Sequence, residues 1–309
     1  ENRNSNLDGG FASALPSNVL VHELEKKYTF LEKVLYKTLK QISNISRIDL
    51  LNQVKQINPK VIHLHYGTDA GLYLKTLRNL NIPKVVSFYG YECSGFPKRF
   101  LGLGKYYLRY RTFKYADKIL AMSEDMKNDL MGIGCPEEKI IVHYHGAKVK
   151  RFKATHDYKE EEIVRFLIIS GFAAQKGHVF LLKSFKKALK FNTNIRLTIV
   201  GEGTEKEKIN KTITNLKLQN YVDIMPFVVY GSEEHVKYFA DYDVFIHPSL
   251  TDVNGDKEGI PGAIVEAMAA GLPVVSTFHA GIPYIIENYV SGLLVKERDI
   301  DDLSEKIIQ

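Results

Sequence analysis

The chain is expected to be α/β, built as two Rossmann-like, doubly wound parallel-sheet domains. Two observations predict this. Short runs rich in Val and Ile alternate along the chain with helix-length amphipathic stretches, the pattern of parallel strands joined by crossover helices. The 309 residues suffice for two cores of ordinary size, and 45% hydrophobic with 25% charged residues are globular values.

Taken in order, the first half carries expected strands at 61–64, 84–88, 118–121 and 139–142, with helices over 69–80, 98–115 and 124–131. The first 45 residues hold mainly a helix over 18–41, without the opening strand and turn of a doubly wound domain. The second half repeats the plan, with strands at 163–170, 195–200, 222–225, 244–247, 273–277 and 293–295. Residues 148–162, charged and poor in apolar side chains, read as a linker. The boundary is placed near residue 155, giving an acceptor-side domain 1–155 and a donor domain 156–309. Both ends look cut, because the last helix starts near Asp299 and the chain stops within it.

No apolar run reaches the roughly 18 residues of a membrane span. Two cysteines, Cys93 and Cys135, with neither a CxxC pair nor a signal-like start, suggest a reducing cytoplasmic setting. The net charge of +6 is split unevenly, +10 over residues 1–160 and −4 over 161–309. A basic first half suits nucleic acid, an anionic membrane or a phosphorylated substrate, and charge alone does not separate them.

The segment from Glu258 to Glu266 is the most informative. Pro261 suits the first helical position, while Gly271 and Pro273 end a helix over 261–270. Free amides near Gly259 to Ala263 and the positive end of the helix dipole would face an anion, so the segment reads as a nucleotide-sugar site. Glu266 stands on a helix otherwise made of Ala, Ile, Val and Met, where a charge needs a partner; sugar or ribose hydroxyls would serve. Two surface glutamates are the alternative. Lys176, at the start of a helix expected over 177–191, opposes the local dipole unless an anion is bound.

These residues, with Ser170-Gly171, Gln175-Lys176-Gly177, Val200-Gly201-Glu202-Gly203, His247-Pro248-Ser249 and the run from Glu266 to Val275, resemble the donor half of family 4 retaining glycosyltransferases of GT-B fold. Val253 to Pro261 and Ala280-Gly281-Ile282-Pro283 look like the branch that makes bacterial exopolysaccharide and capsule, of the colanic-acid type. In the first half, Ile62 to Gly67, Ser87-Phe88-Tyr89-Gly90 and Met122-Ser123-Glu124 resemble the family more thinly. The resemblance implies a hexosyltransferase with a UDP- or GDP-sugar donor and a saccharide acceptor, lipid-linked in surface-polysaccharide assembly, and no metal or other cofactor. It implies that Glu258 contacts the donor sugar and Glu266 the ribose, with Gly171, Lys176, Gly259, Ile260, Pro261 and Gly262 around the sugar and phosphates. His65 and Tyr89 fall on the acceptor side, near the reaction centre.

Two residues depart from the family. Tyr89 stands where a His-Gly pair is usual; a Tyr donates a hydrogen bond but cannot imitate an imidazolium. It also reads as a packing aromatic. Phe172 follows Gly171 where an arginine is usual, so Lys176 lacks that partner for a diphosphate. A nucleotide-binding relative without transferase activity is the chief rival reading, and a sugar-nucleotide epimerase a lesser one.

Asp241-Tyr242-Asp243 spells a metal-binding Asp-x-Asp string, yet Asp243 reads as a turn residue before a strand. Asp252, Asn254 and Asp256 precede a glycine spaced wrongly for an EF-hand. Residues 98–118 mix seven basic residues with six aromatics against one acid, Asp117. Such a helix suits anionic headgroups, which would hold the protein at the inner face of the cell membrane, and it equally reads as an ordinary helix whose tyrosines pack inward while its basic ends stay solvated. Nucleic acid is not the expected partner, because the strong motifs lie in the acidic half.

Overall fold

The computed structural model describes residues 44–152 and 163–309. Their strands form two wholly parallel sheets. The first takes β1 (Ile62–His65), β2 (Lys84–Ser87), β3 (Lys118–Ala121) and β4 (Ile140–Val142) in that spatial order. The second comprises β5 (Val164–Ile169), β6 (Ile195–Val200), β7 (Val222–Met225), β8 (Val244–His247), β9 (Val274–Thr277) and β10 (Leu293–Val295), in the order β10-β9-β8-β5-β6-β7. Every expected strand is present, its ends displaced by at most one residue.

Crossover helices cover both faces of the second sheet, which is why its strands are apolar on both sides. Phe166 and Ile168 of β5 point into a core with Leu181, Phe185 and Leu303, while Leu167 between them joins Phe239, Phe245 and Ile264 on the opposite face. The first sheet packs Val86, Phe88, Ile119 and Ala121 against Leu74, Leu108 and Leu130. From β5 the chain winds outward through β6 and β7, then returns to lay β8 on the other side of β5. The loops after β5 and β8 therefore part in opposite directions, and the crevice between them is where an open parallel sheet takes its ligand.

Three expectations need correction. The helix expected over 98–115 is broken into a 3-10 turn Phe96–Lys98, single turns Arg99–Gly102 and Gly104–Tyr107, and a π segment Leu108–Phe113. Gly102 and Gly104 are poor helix formers, and Leu101 and Gly102 have φ of +56° and +85°. The helix expected over 177–191 runs His178–Ala188, because Gly177 adopts a left-handed φ of +73° as its cap. Pro261 is likewise a cap, with extended ψ, and the helix it precedes is Gly262–Ala269. The helix expected over 18–41 and the boundary near residue 155 lie outside the described residues.

Candidate active site

Lys176 and Glu258 are 82 positions apart, and the crevice between β5 and β8 unites them. Lys176 ends the 3-10 turn Ala174–Lys176 after β5, Glu258 lies on the loop after β8, and the two side chains form an ion pair. Gly177 makes this approach possible, since a Cβ there would lie 2.0 Å from the carbonyl oxygen of Pro248. The Glu258 side chain is only 7% exposed. Ser249 Oγ donates to its Oε2 at 3.4 Å, and His247 Nε2 stands 3.7 Å away, beyond hydrogen-bond length. Burial alone would raise the Glu258 pKa, but the Lys176 ammonium outweighs it and holds the carboxyl at about 2. Burial lowers both His247 and His178, the latter to about 3, so both imidazoles are neutral near pH 7.

The backbone of this loop is tied down on both sides. The Glu258 N–H donates to His279 Nε2 at 3.1 Å, which places the proton of that ring on Nδ1, 2.6 Å from Glu297 Oε1. Glu297 also accepts from the Thr251 N–H at 2.8 Å. The Gly259 N–H, expected to face an anion, instead donates to the carbonyl of Tyr89 at 3.1 Å across the two sheets. Ile260 and Pro261 are buried. The helix-start amides without an acceptor in their own helix include those of Gly262 and Ala263, and the exposed His145 lies beside Gly262.

Glu266, one turn into this helix, is 5% exposed. The reading of surface glutamates is thereby excluded for both residues. Burial pushes Glu266 up to about 7, opposed by a hydrogen bond from the Tyr230 hydroxyl. His235 Nε2 lies 3.6 Å from its carboxylate, and burial keeps that imidazole neutral near pH 7.

The first sheet presents its strand ends to the same loop. His65 ends β1, and its Nδ1 is hydrogen-bonded to the hydroxyl of Tyr89, just past β2. Tyr89 also packs on Tyr66, with ring centroids 4.7 Å apart. Buried Glu92 accepts from the amides of Gly67 at 3.2 Å and Tyr89 at 3.3 Å, joining the two loops that carry these side chains. Ser94 Oγ accepts from the Lys257 N–H at 3.0 Å, and Lys257 Nζ pairs with Asp125 at 3.1 Å and Asp129 at 2.6 Å. Gly90 sits in this contact with φ +137°, and a Cβ there would meet the Lys257 carbonyl at 2.6 Å. Gly90→Ala is expected to cost about 2 kcal/mol or more from backbone strain and collision, read as a melting temperature lowered by about 5 °C.

Gly171 is exposed at the crevice mouth, whereas Phe172 turns into the core and meets the His178 ring edge-on at 5.1 Å. Asp243 pairs with Arg165 at 3.1 Å at the amino end of β8, far along the strand from the crevice. Sequence reading passed over His178, Tyr230, His235, His279, Glu297, Glu92 and Lys257. A histidine two residues after the strand 273–277 is the available signal for His279; the others need the fold.

Two parallel sheets, with a buried carboxylate–ammonium pair in the crevice at the switch point of the second, are the frame of the class. The chain belongs to the glycosyltransferases: residues 149–309 match the glycosyl transferases group 1 family and residues 8–151 glycosyltransferase family 4. Among its relatives, the amylovoran biosynthesis glycosyltransferase AmsK of Erwinia amylovora is 31% identical over 250 residues, 81% of this chain and 60% of AmsK. WcaL of Escherichia coli (strain K12), whose name places it in colanic acid biosynthesis, is 31% identical over 247 residues, 79% of this chain and 59% of WcaL. The chain thus spans about 60% of the length of these relatives. Its fold is GT-B: the structure of Anabaena HepE in complex with UDP and glucose superposes with a TM-score of 0.69 at 19% identity, over 86% of this chain and 72% of HepE.

Proposed function

We propose that this chain transfers a hexose from a UDP- or GDP-sugar to a saccharide acceptor with retention of configuration, without a metal, during assembly of a bacterial exopolysaccharide or capsule. The observation that carries this is the Lys176–Glu258 pair set in the crevice, with Glu266 buried one helical turn away. In the proposed complex Lys176 turns to the diphosphate, the Gly262 and Ala263 amides and the helix dipole stabilise the leaving group, Glu258 holds the sugar and Glu266 the ribose. Gly171 lets the donor come close to the turn, and the loop Gly259-Ile260-Pro261 shapes its floor. His65 and Tyr89 present the acceptor hydroxyl from the first domain. HepE, solved with UDP and with UDP-glucose, supports the donor class, and AmsK supports the product class. A lipid-linked acceptor and a site of action at the inner face of the cell membrane complete the proposal; among the described residues no helix is long and apolar enough to cross a membrane.

Thermal shift against a panel of nucleotide sugars tests the reading: UDP- or GDP-sugars should raise the melting temperature, and one of them with acceptor should release nucleoside diphosphate. No stabilisation by any donor would overturn it. Tyr89 and the core position of Phe172 favour one second reading, a partner subunit that binds nucleotide and transfers nothing. Stabilisation without nucleoside diphosphate release would establish it. A Tyr89→Phe variant removes the hydrogen bond to His65; under the transferase reading it should lose about tenfold in turnover with an unchanged melting temperature.

A further inference from the structure

We propose that the broken segment 99–110 is a membrane-docking tip, whose apolar apex enters an anionic lipid surface beside the cleft. The helix of this segment is interrupted into the single turns Arg99–Gly102 and Gly104–Tyr107. Leu101, at left-handed φ, is fully exposed, Leu103 is 59% exposed, and Tyr106 and Tyr110 are exposed further along. Gly104 anchors the base, packed so closely on Phe96 that a Cβ would lie 2.1 Å from its carbonyl oxygen. Arg99 and Lys105 flank the apex in the chain and lie over the rings of Tyr91 at 5.7 Å and Tyr106 at 5.2 Å, while Arg109 Nε donates to the Ile133 carbonyl at 2.8 Å.

Charge and size select the occupant. Leucines ringed by arginine, lysine and tyrosine match the headgroup boundary, where the apolar apex enters the acyl region and the cations meet lipid phosphate. A second copy would bring two basic surfaces together, and an apex of two leucines is too small for a stable dimer. The tip also lies at the cleft: a Cβ on Gly255, in the loop leading to Glu258, would lie 1.9 Å from Lys98 Nζ. A lipid-linked saccharide leaving the bilayer there would reach the first-domain side of the site. This last step rests on the acceptor proposed above; docking itself does not.

Sedimentation of the 309-residue chain with vesicles of phosphatidylcholine alone or mixed equally with phosphatidylglycerol tests the tip without any donor. Binding is expected only to the mixed vesicles and to weaken with salt. Leu101→Asp with Leu103→Asp should reduce it at least tenfold while the melting temperature and the donor-induced shift stay as in the parent chain. Arg99→Glu with Lys105→Glu should reduce it by a similar factor. Equal binding by the parent and the leucine variant, or a parent chain left in the supernatant, would overturn the proposal, as would preferential binding of single-stranded RNA over the mixed vesicles. None of these outcomes bears on donor binding, which the thermal shift reads separately.

Discussion

Lys176→Met should lower nucleoside diphosphate release by at least about 100-fold and destabilise the chain by about 3 kcal/mol at pH 7. Both effects have one cause. The ammonium that would meet the diphosphate also neutralises a Glu258 carboxylate that is almost wholly buried. With it gone, the carboxylate must stay charged without a cation or take up a proton. The sign with pH follows from the depressed pKa of Glu258, about 2 in the fold against an ordinary 4.5. The stabilisation is complete above 4.5 and disappears as pH falls from there through 2, and a gap of that size corresponds to about 3 kcal/mol. Denaturant unfolding at pH 7 and at pH 3 should therefore separate wild type from Lys176→Met widely at the first and narrowly at the second. Adding Glu258→Gln to the variant should restore stability but not turnover. A double variant no more stable than Lys176→Met would show that the buried charge is not what the lysine compensates.

Glu266→Gln should have opposite effects on stability and on ligand binding. Burial raises this carboxyl to about 7, so between about 4.5 and 7 the folded chain holds a proton that the unfolded chain releases. Stability from this group is full below 4.5 and is lost as pH rises towards and through 7, a loss of up to about 3 kcal/mol. A glutamine of the same shape is free of that cost. The unliganded variant should melt several degrees higher than wild type at pH 8, with little difference at pH 5. Under the proposed role, the charged carboxylate accepts the ribose hydroxyls, so the donor-induced rise in melting temperature should be abolished in Glu266→Ala and reduced in Glu266→Gln. An unchanged nucleotide shift in Glu266→Ala would remove ribose binding from this residue, whatever the apo stabilities show.

Much of the arrangement was legible before any coordinates. Continuous apolar runs mark these strands because a parallel strand between helices must bury both faces, and the second-half strands follow that rule closely. The candidate residues of the crevice could be named because glycines, a proline and two glutamates around a helix start leave few physical alternatives. Where reading failed, the cause was non-local. The helix expected over 98–115 carries an adequate composition, but it breaks where Gly104 is pressed onto Phe96 and Leu101 turns left-handed, a packing decision absent from local propensity. Gly259 looked like a free donor because nothing nearby in the chain can accept from it; its acceptor, Tyr89, comes from the other sheet.

By itself, the sequence determined the two-part α/β plan, membership of the transferase family, and Glu258, Glu266 and Lys176 as the candidate polar residues, since these depend on periodicity and on short motifs. Only the tertiary structure decided the partners and ionisation of those residues. Pairing of Lys176 with Glu258, the neutral imidazoles of His178 and His247, the Glu297–His279 support of the Glu258 amide and the raised Glu266 all arise from burial and from groups brought together across 18 to 82 positions. Desolvation and Coulomb energy depend on distance in space, and strand order, set by the crossover between β7 and β8, is what converts chain separation into contact.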